Sequence, residues 1–349
     1  MTARYWHGRE VLKEYKQGRL VYEKQSSIPD YLCFTALEAG QFTLTIPAAV
    51  TATYLSYVEW SKDGKTWTHT DNTSEAVTID VQVAQGEKVY WRGSGAAMGS
   101  SYLESRRCKF SSEARFDVSG HIMSLLVGDN FGSFEHLTHV NTDGIRNATF
   151  SYLFKDCTTI VNAKDLVLPT FESYHQYIYN GLFQNCTSLV SQPSLPSSTL
   201  AISCYGSMYY NCTLLTDSAT LPATTLAASC YRYMYYNCSN LETVNPILAT
   251  TAVGTDCMNQ MFRICKKITR VELHLTGALT QSCCYQMFFG CSLLSYVKCL
   301  ATDISATNCL NNWLQNVSST GTFIQTEGVT WPRGKSGIPD NWTIETQTP

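Results

Sequence analysis

Leu195-Pro-Ser-Ser-Thr-Leu-Ala-Ile-Ser-Cys-Tyr-Gly-Ser-Met-Tyr-Tyr-Asn-Cys212 is followed, 26 residues on, by Leu221-Pro-Ala-Thr-Thr-Leu-Ala-Ala-Ser-Cys-Tyr-Arg-Tyr-Met-Tyr-Tyr-Asn-Cys238. A repeat this close marks stacked units, none of which can bury its apolar face alone. Working outward, Cys157, Cys186, Cys212, Cys238, Cys265 and Cys291 follow at intervals of 29, 26, 26, 27 and 26 residues. A second series, Cys204, Cys230, Cys257, Cys283 and Cys309, steps by 26, 27, 26 and 26, and precedes the first by eight residues within each unit.

The shared core is Cys-Φ-x-x-Met-Φ-x-x-Cys, with Φ apolar or aromatic. Cys204, Tyr205, Met208, Tyr209 and Cys212 stand at i, i+1, i+4, i+5 and i+8. That spacing predicts one face of an α-helix. The Ser and Thr residues after each Leu-Pro are its candidate N-caps. Runs such as Leu241-x-x-Val244, Ile268-x-x-Val271-x-Leu273 and Leu294-x-x-Val297 predict short strands. One strand and one helix per unit predict a leucine-rich-repeat solenoid. Stacking places Leu153, Leu182, Met208, Met234, Met261 and Met287 in one column, and Phe154, Phe183, Tyr209, Tyr235, Phe262 and Phe288 in the next.

The cysteines fit such columns as small buried hydrophobes. Helices on adjacent coils would lie about 8–10 Å apart, and a disulfide needs Cα atoms within roughly 7 Å and facing Cβ vectors. Packing is therefore expected rather than a disulfide ladder. Zinc is not expected either, because cysteines eight apart are two helical turns apart and no Cys-x-x-Cys occurs.

The 349 residues allow two or three structural units. With 44% hydrophobic and 15% charged residues, the chain can bury a full core. Its net charge of −3 and lack of a Lys/Arg-rich run argue against a nucleic-acid partner. The polar start reads as no secretory signal, and no stretch is apolar enough to span a bilayer. The first residues hold a duplication, Tyr5-Trp-His-Gly8-Arg9-Glu-Val11 against Tyr15-Lys-Gln-Gly18-Arg19-Leu-Val21. It predicts a β-hairpin attachment element or an edge hairpin over residues 1–25. Alternating runs Tyr31–Thr35, Phe42–Ile46, Tyr54–Trp60, Val77–Val83 and Lys88–Gly93 predict an all-β sandwich over 30–119. The expected chain is thus α+β. The repeat occupies 120–312, and residues 313–349, with Trp313, Trp331 and Trp342, form a C-terminal cap.

No phosphate loop, nucleophile elbow or His-Glu-x-x-His motif occurs, so no enzyme and no cofactor is expected. His136-Leu-Thr-His139 lacks a third ligand, and ordinary surface histidines are the expectation. Asn185, Asn211 and Asn237 begin Asn-x-Ser/Thr sequons that follow from the repeat. Two sets of residues are candidates for binding. The strand side offers Lys164, Asp217, Glu242, Asn245, Arg270, Glu272, His274, Tyr296 and Lys298. The position after the aromatic column offers Tyr210, Tyr236 and Phe289. Solenoids bind on such variable faces, and exposed tyrosines stack on sugars or fill protein hot spots. The bland alternative is that these residues are solvated or half-buried.

The repeats Leu-Pro-Ala-Thr-Thr-Leu-Ala-Ala-Ser-Cys-Tyr and Met-Tyr-Tyr-Asn-Cys-Ser-Asn-Leu, with the ending Gly337-Ile-Pro-Asp-Asn-Trp342-Thr-Ile, resemble the BspA-like leucine-rich-repeat proteins of Bacteroidales and their phages over roughly residues 120–345. The Tyr-x-x-Gly-Arg-x-Val elements resemble short segments of phage virion proteins. Together these resemblances imply a non-enzymatic virion component, a fibre, tail-tip or head-decoration protein made in the host cytoplasm. Its N-terminal region would contact other virion proteins, it would form a homo-oligomer, and it would bind a host glycan or protein without membrane insertion. A bacterial cell-surface adhesin and a capsule depolymerase are the alternatives.

Overall fold

The fold is described from a computed structural model, covering residues 5–6, 9–10, 13–16, 19–23, 29–138, 146–252 and 254–347. The chain divides into two compact units, Met1–Asp30 and Tyr31–Pro349. In the first, Tyr5–Trp6 pairs antiparallel with Arg9–Glu10, and Lys13–Lys16 with Arg19–Glu23. The duplication is thus two successive strand pairs.

The second unit begins with two facing sheets. One has six strands, ordered Ile160–Val167, Phe116–His121, Leu32–Ala36, Lys88–Gly95, Leu55–Ser61 and Thr68–Asp71. The other has three, ordered Lys109–Ser112, Gly40–Ile46 and Val77–Val83. Alternation does the work: Ile79, Val81 and Val83 point inward while Thr78, Asp80 and Gln82 face water. Between the sheets Phe34 meets Phe42, Phe110 and Phe116 with ring centroids 5.4, 4.8 and 4.9 Å apart. Phe154 of the repeat lies 5.6 Å from Phe110, so the core runs on into the coils.

The 26-residue unit is present as a stack of coils, but it is not a strand–helix unit. Among the described residues the α-helix is confined to Ser124–Val127. The segment expected to be helical is a chain of turns. In every coil three residues, four apart, have positive φ, such as Ser203, Ser207 and Asn211 at 53°, 53° and 61°. An L-residue in that conformation costs roughly 1–2 kcal/mol and interrupts an α-helix. Alternate amides do two different things. Cys204, Gly206, Met208, Tyr210 and Cys212 each donate to the carbonyl three residues back. Ser203, Tyr205, Ser207, Tyr209 and Asn211 each donate sideways, to Ala228, Cys230, Arg232, Met234 and Tyr236 of the next coil, at 2.8–3.1 Å. The same five lateral bonds recur between every pair of neighbouring coils from Ala148 to Gln315.

The spacing that predicted a helix also suits this ladder. Apolar residues at i, i+4 and i+8 fit a strict four-residue backbone period at least as well as one of 3.6. The overlooked signal is the polar residue at every fourth position: Ser203, Ser207 and Asn211 tolerate positive φ and are poor in helix interiors. Lateral bonding also sets a shorter coil spacing than helices permit. The Phe154, Phe183, Tyr209, Tyr235, Phe262 and Phe288 rings stack with centroids 5.4, 5.9, 5.2, 5.6 and 5.8 Å apart. That is close to strand spacing, about 4.8 Å, and well under the roughly 8–10 Å between packed helices. The leucine-rich-repeat solenoid is therefore replaced by a turn-built stack with parallel strands. Those strands are best formed at the C-terminal end, where Arg270–Leu273, Tyr296–Cys299, Gly321–Thr326 and Trp342–Gln347 pair in order.

All fifteen cysteines are buried and none is joined in a disulfide. The expectation of thiols rather than disulfides rested on helix spacing, which does not apply here; Cys257 and Cys283 bring their sulfurs to 3.1 Å. The thiol has a more specific use. Cys186, Cys212, Cys238, Cys265 and Cys291 donate through Sγ to the carbonyls of Phe154, Phe183, Tyr209, Tyr235 and Phe262 in the preceding coil, at 2.9–3.1 Å. Each such bond is weak, but the geometry recurs at each step. Beside this column the amides of Asn185, Asn211 and Asn237 form a second ladder, each donating to Asp156, Asn185 and Asn211 respectively at 2.7, 3.3 and 2.7 Å. The sequon asparagines are thus rungs that also accept positive φ. Ile264 interrupts this ladder, a β-branched residue at φ 64°. Ile264→Asn is expected to stabilise the chain by about 1 kcal/mol, raising the urea midpoint; an unchanged or lower midpoint would count against the ladder.

Because every lateral bond runs the same way, the stack has a carbonyl end and an amide end. At the carbonyl end stands Arg107, 2% exposed. Its guanidinium donates to the carbonyls of Ala148, Thr149 (2.7 Å), Ser151 (3.2 Å) and Ser101 (2.9 Å). Met98 and Phe110 supply backbone amides to Thr149 and Leu153. Burial pulls the Arg107 pKa down to about 10, which leaves it charged at neutral pH. At the amide end Trp313 and Trp331 stack at 5.5 Å, and the Trp313 indole donates to Gly337 at 2.8 Å.

Candidate functional site

The strand-side candidates do not form one site. Arg270, Glu272, His274, Tyr296 and Lys298 gather on two adjacent strands, in register Arg270↔Tyr296 and Glu272↔Lys298. There Arg270 bonds Glu272 at 2.5 Å and lies 3.6 Å over the Tyr296 ring, while His274 approaches Glu272 at 4.0 Å. These groups largely satisfy one another. Lys164 and Asp217 are exposed on other coils. Glu242 pairs with Lys267 at 2.9 Å, and Asn245 bonds Ser218 through both its backbone amide and its side chain, a structural tie.

The turn side carries an aromatic and cationic strip. Tyr210 and Tyr236 stack at 4.7 Å and 7°. Arg263 follows, 5.8 Å over Tyr236 and 4.6 Å over Phe289. Tyr233 touches Tyr236 edge-on at 6.0 Å and leads into a cleft of about 290 Å³. Burial raises the Tyr210 and Tyr152 hydroxyl pKa values, with Tyr236 and Glu104 respectively adding to the effect.

The repeat register explains the cleft. Its floor is Ser203, Gly206, Ser207 and Ser229. In the preceding coil the equivalent of Ser207 is Gly181, and a Cβ there would come within 2.4 Å of the Tyr152 ring. Glycine lets that ring lie over the backbone. A Cβ on Gly206 would meet the Asn180 amide nitrogen at 2.6 Å. On one side stand Tyr152, Tyr177 and Tyr102; Tyr102 is 63% exposed and stacks on Tyr177 at 5.8 Å and 23°. On the other stand Arg232 and Tyr233, joined by a 3.2 Å hydrogen bond from the guanidinium to the phenol. Of these residues the sequence singled out none. Tyr102 comes from the sandwich and has no repeat signature. The available signal was the run of small residues at Gly181, Ser203, Gly206 and Ser207, between coils that carry tyrosine or arginine at equivalent positions.

A larger cleft, about 760 Å³, lies between the sandwich and the first coil. Lys109 pairs there with Asp156 at 3.0 Å and Glu104 at 3.3 Å, Lys155 pairs with Glu104, and Arg107 is spent on main-chain carbonyls. Among the described residues no cluster of three metal-ligating side chains occurs, and no helix is long and apolar enough to cross a membrane. His139 lies outside the described residues; His136 sits on the strand His136–Leu137 beside Thr170. No known family, curated protein or solved structure matches the chain. The resemblance to BspA-like proteins therefore rests on the repeat residues alone, and the strand–helix unit it implied is absent.

Proposed function

We propose that this chain is a non-enzymatic binding protein whose turn-built face recognises a glycan. The observation that carries the reading is the cleft. It is shallow, walled by tyrosines from two structural layers, floored by Ser and Gly, and edged by Asn180 and Arg232. Aromatic faces with convergent hydroxyl, amide and guanidinium donors suit a ring that has apolar C–H faces and a polar rim. The strip through Tyr233, Tyr236 and Tyr210 would extend the contact to further sugar units. The setting carried over from the sequence is a surface one, on a virion or a cell envelope.

A labelled chain on a glycan array tests this reading, alongside Tyr102→Ala. Tyr102 is exposed, so its removal leaves the fold intact. Retained glycans whose affinity falls about tenfold in Tyr102→Ala, roughly 1.4 kcal/mol, are the expected result. Binding that ignores Tyr102, or no glycan binding at all, would sink it. The second reading, a protein ligand, is favoured by the stacked Tyr210, Tyr236, Arg263 and Phe289, residue types that dominate protein hot spots.

A further inference from the structure

The cleft lining contains a single charged residue, Arg232. Three other coil cations meet acids, Lys155 with Glu104, Lys267 with Glu242 and Arg270 with Glu272, while Arg263 is satisfied by the side-chain carbonyls of Gln260 and Gln286. Arg232 has no carboxylate among the described residues. Its polar contact is the Tyr233 hydroxyl, and its guanidinium carbon lies 4.9 Å from that ring. The acid that acts on the opposite wall, Glu104 beside Tyr152, is held by Lys155 and Lys109. A half-buried guanidinium facing an aromatic cleft without a counter-ion favours an anionic ligand, because the fork of donors matches a carboxylate.

Dimensions narrow the ligand further. Gly181, covered by the Tyr152 ring, and Tyr233 occupy equivalent positions two coils apart, on the order of 10 Å at strand-like spacing. One ring fits between two aromatic walls at ordinary stacking distances, about 5 Å each. The coil between them contributes Gly206 and Ser207, which leave that space open.

We infer that the cleft selects a sugar acid, a pyranose whose ring lies between the Tyr152–Tyr177 wall and Tyr233 and whose carboxylate meets Arg232. This rests on the glycan reading above and adds the charge of the ligand. The test uses uronic- and sialic-acid oligosaccharides, each paired with its carboxyl-reduced counterpart, so that the two differ in the carboxylate alone. Titration calorimetry is run on the full chain and on Arg232→Gln. The acid form is expected to bind the native chain about tenfold more tightly than the reduced form. Arg232→Gln is expected to lose that preference while still binding the reduced form, which also shows that the variant is folded. Equal binding of acid and reduced forms by the native chain overturns the charge inference and leaves the glycan reading standing. Binding of neither form, with an empty glycan array, overturns both. A preference for the acid that survives in Arg232→Gln overturns the assignment to Arg232.

Discussion

Arg107→Met is expected to destabilise the folded chain by about 3 kcal/mol or more, read as a fall in the urea midpoint followed by tryptophan fluorescence. The stack ends in carbonyls that have no further coil to accept from. Sandwich amides reach two of them, Thr149 from Met98 and Leu153 from Phe110. The Ser151 carbonyl depends on Arg107. Methionine fills a similar volume but leaves this acceptor unsatisfied and weakens the hold on Ala148 and Thr149. An orphaned buried polar group costs roughly 1–3 kcal/mol, and bonds from a charged donor are worth more than neutral ones. Loss of the desolvated charge offsets part of this. Arg107→Lys should fall between, since an ammonium cannot reach three carbonyls as a planar fork does. A midpoint within 1 kcal/mol of the native value for Arg107→Met would mean that the carbonyl end is not sealed by this residue.

The second large effect is alkaline unfolding. Cys108, Cys157, Cys186, Cys204, Cys212, Cys230, Cys238, Cys265, Cys291 and Cys299 all have pKa values raised by burial; those of Cys108, Cys204, Cys291 and Cys299 rise from 9.0 to about 12. The buried phenols of Tyr179, Tyr209 and Tyr235 are pushed well above 10.0, again by burial. These groups stay protonated in the folded chain after they have ionised in the unfolded one. Their stabilisation is complete below pH 9 and is lost as pH rises toward the folded values. At pH 10 the unfolded thiols are mostly ionised while the buried ones stay protonated, so each of the ten favours the unfolded chain and their effects act in the same direction. Arg107 acts in the opposite sense, because its folded value lies below its unfolded one, but only above about pH 10. Cooperative unfolding is expected as the pH rises above 9, with the thiols reactive toward a disulfide reagent only after the transition. Native-state titration of most of the thiols at pH 9 would contradict the packing of the columns.

The sandwich strands were legible because alternation of apolar and polar residues maps directly onto a two-faced sheet, as in Val77–Val83 with its inward Ile79, Val81 and Val83. The length of the repeat unit was legible because columns need equivalent residues. The helix was misread because Cys204, Met208 and Cys212 satisfy two backbone periods equally well, and only the polar residues between them separate the two. Tyr177, Tyr233 and Ile264, all at positive φ, hide that signal further. Arg107 could not have been found from sequence. Its three acceptors in the first coil are main-chain carbonyls more than 40 residues away, and carbonyls have no side-chain signature. The cleft was not legible: the sequence showed the neighbouring Tyr210 and Tyr236 as a column, whereas the Tyr102–Tyr177 wall joins two layers that only the fold brings together.

Amide hydrogen exchange across Asn308–Asn316 tests the turn ladder most directly. Asn311, Trp313 and Gln315 donate to Asn308, Leu310 and Asn312 within this last coil. Leu310, Leu314 and Asn316 occupy the lateral positions, and no further coil follows to accept from them among the described residues. Their counterparts one coil earlier, Cys284, Phe288 and Gly290, donate to Cys309, Trp313 and Gln315. The Asn312 amide reaches the Ser336 hydroxyl at 3.4 Å, so protection should alternate residue by residue over Trp313–Asn316 and be continuous in the coil before it. Uniform protection through Trp313–Asn316 would indicate an α-helix, and with it the strand–helix unit that the turn ladder replaces.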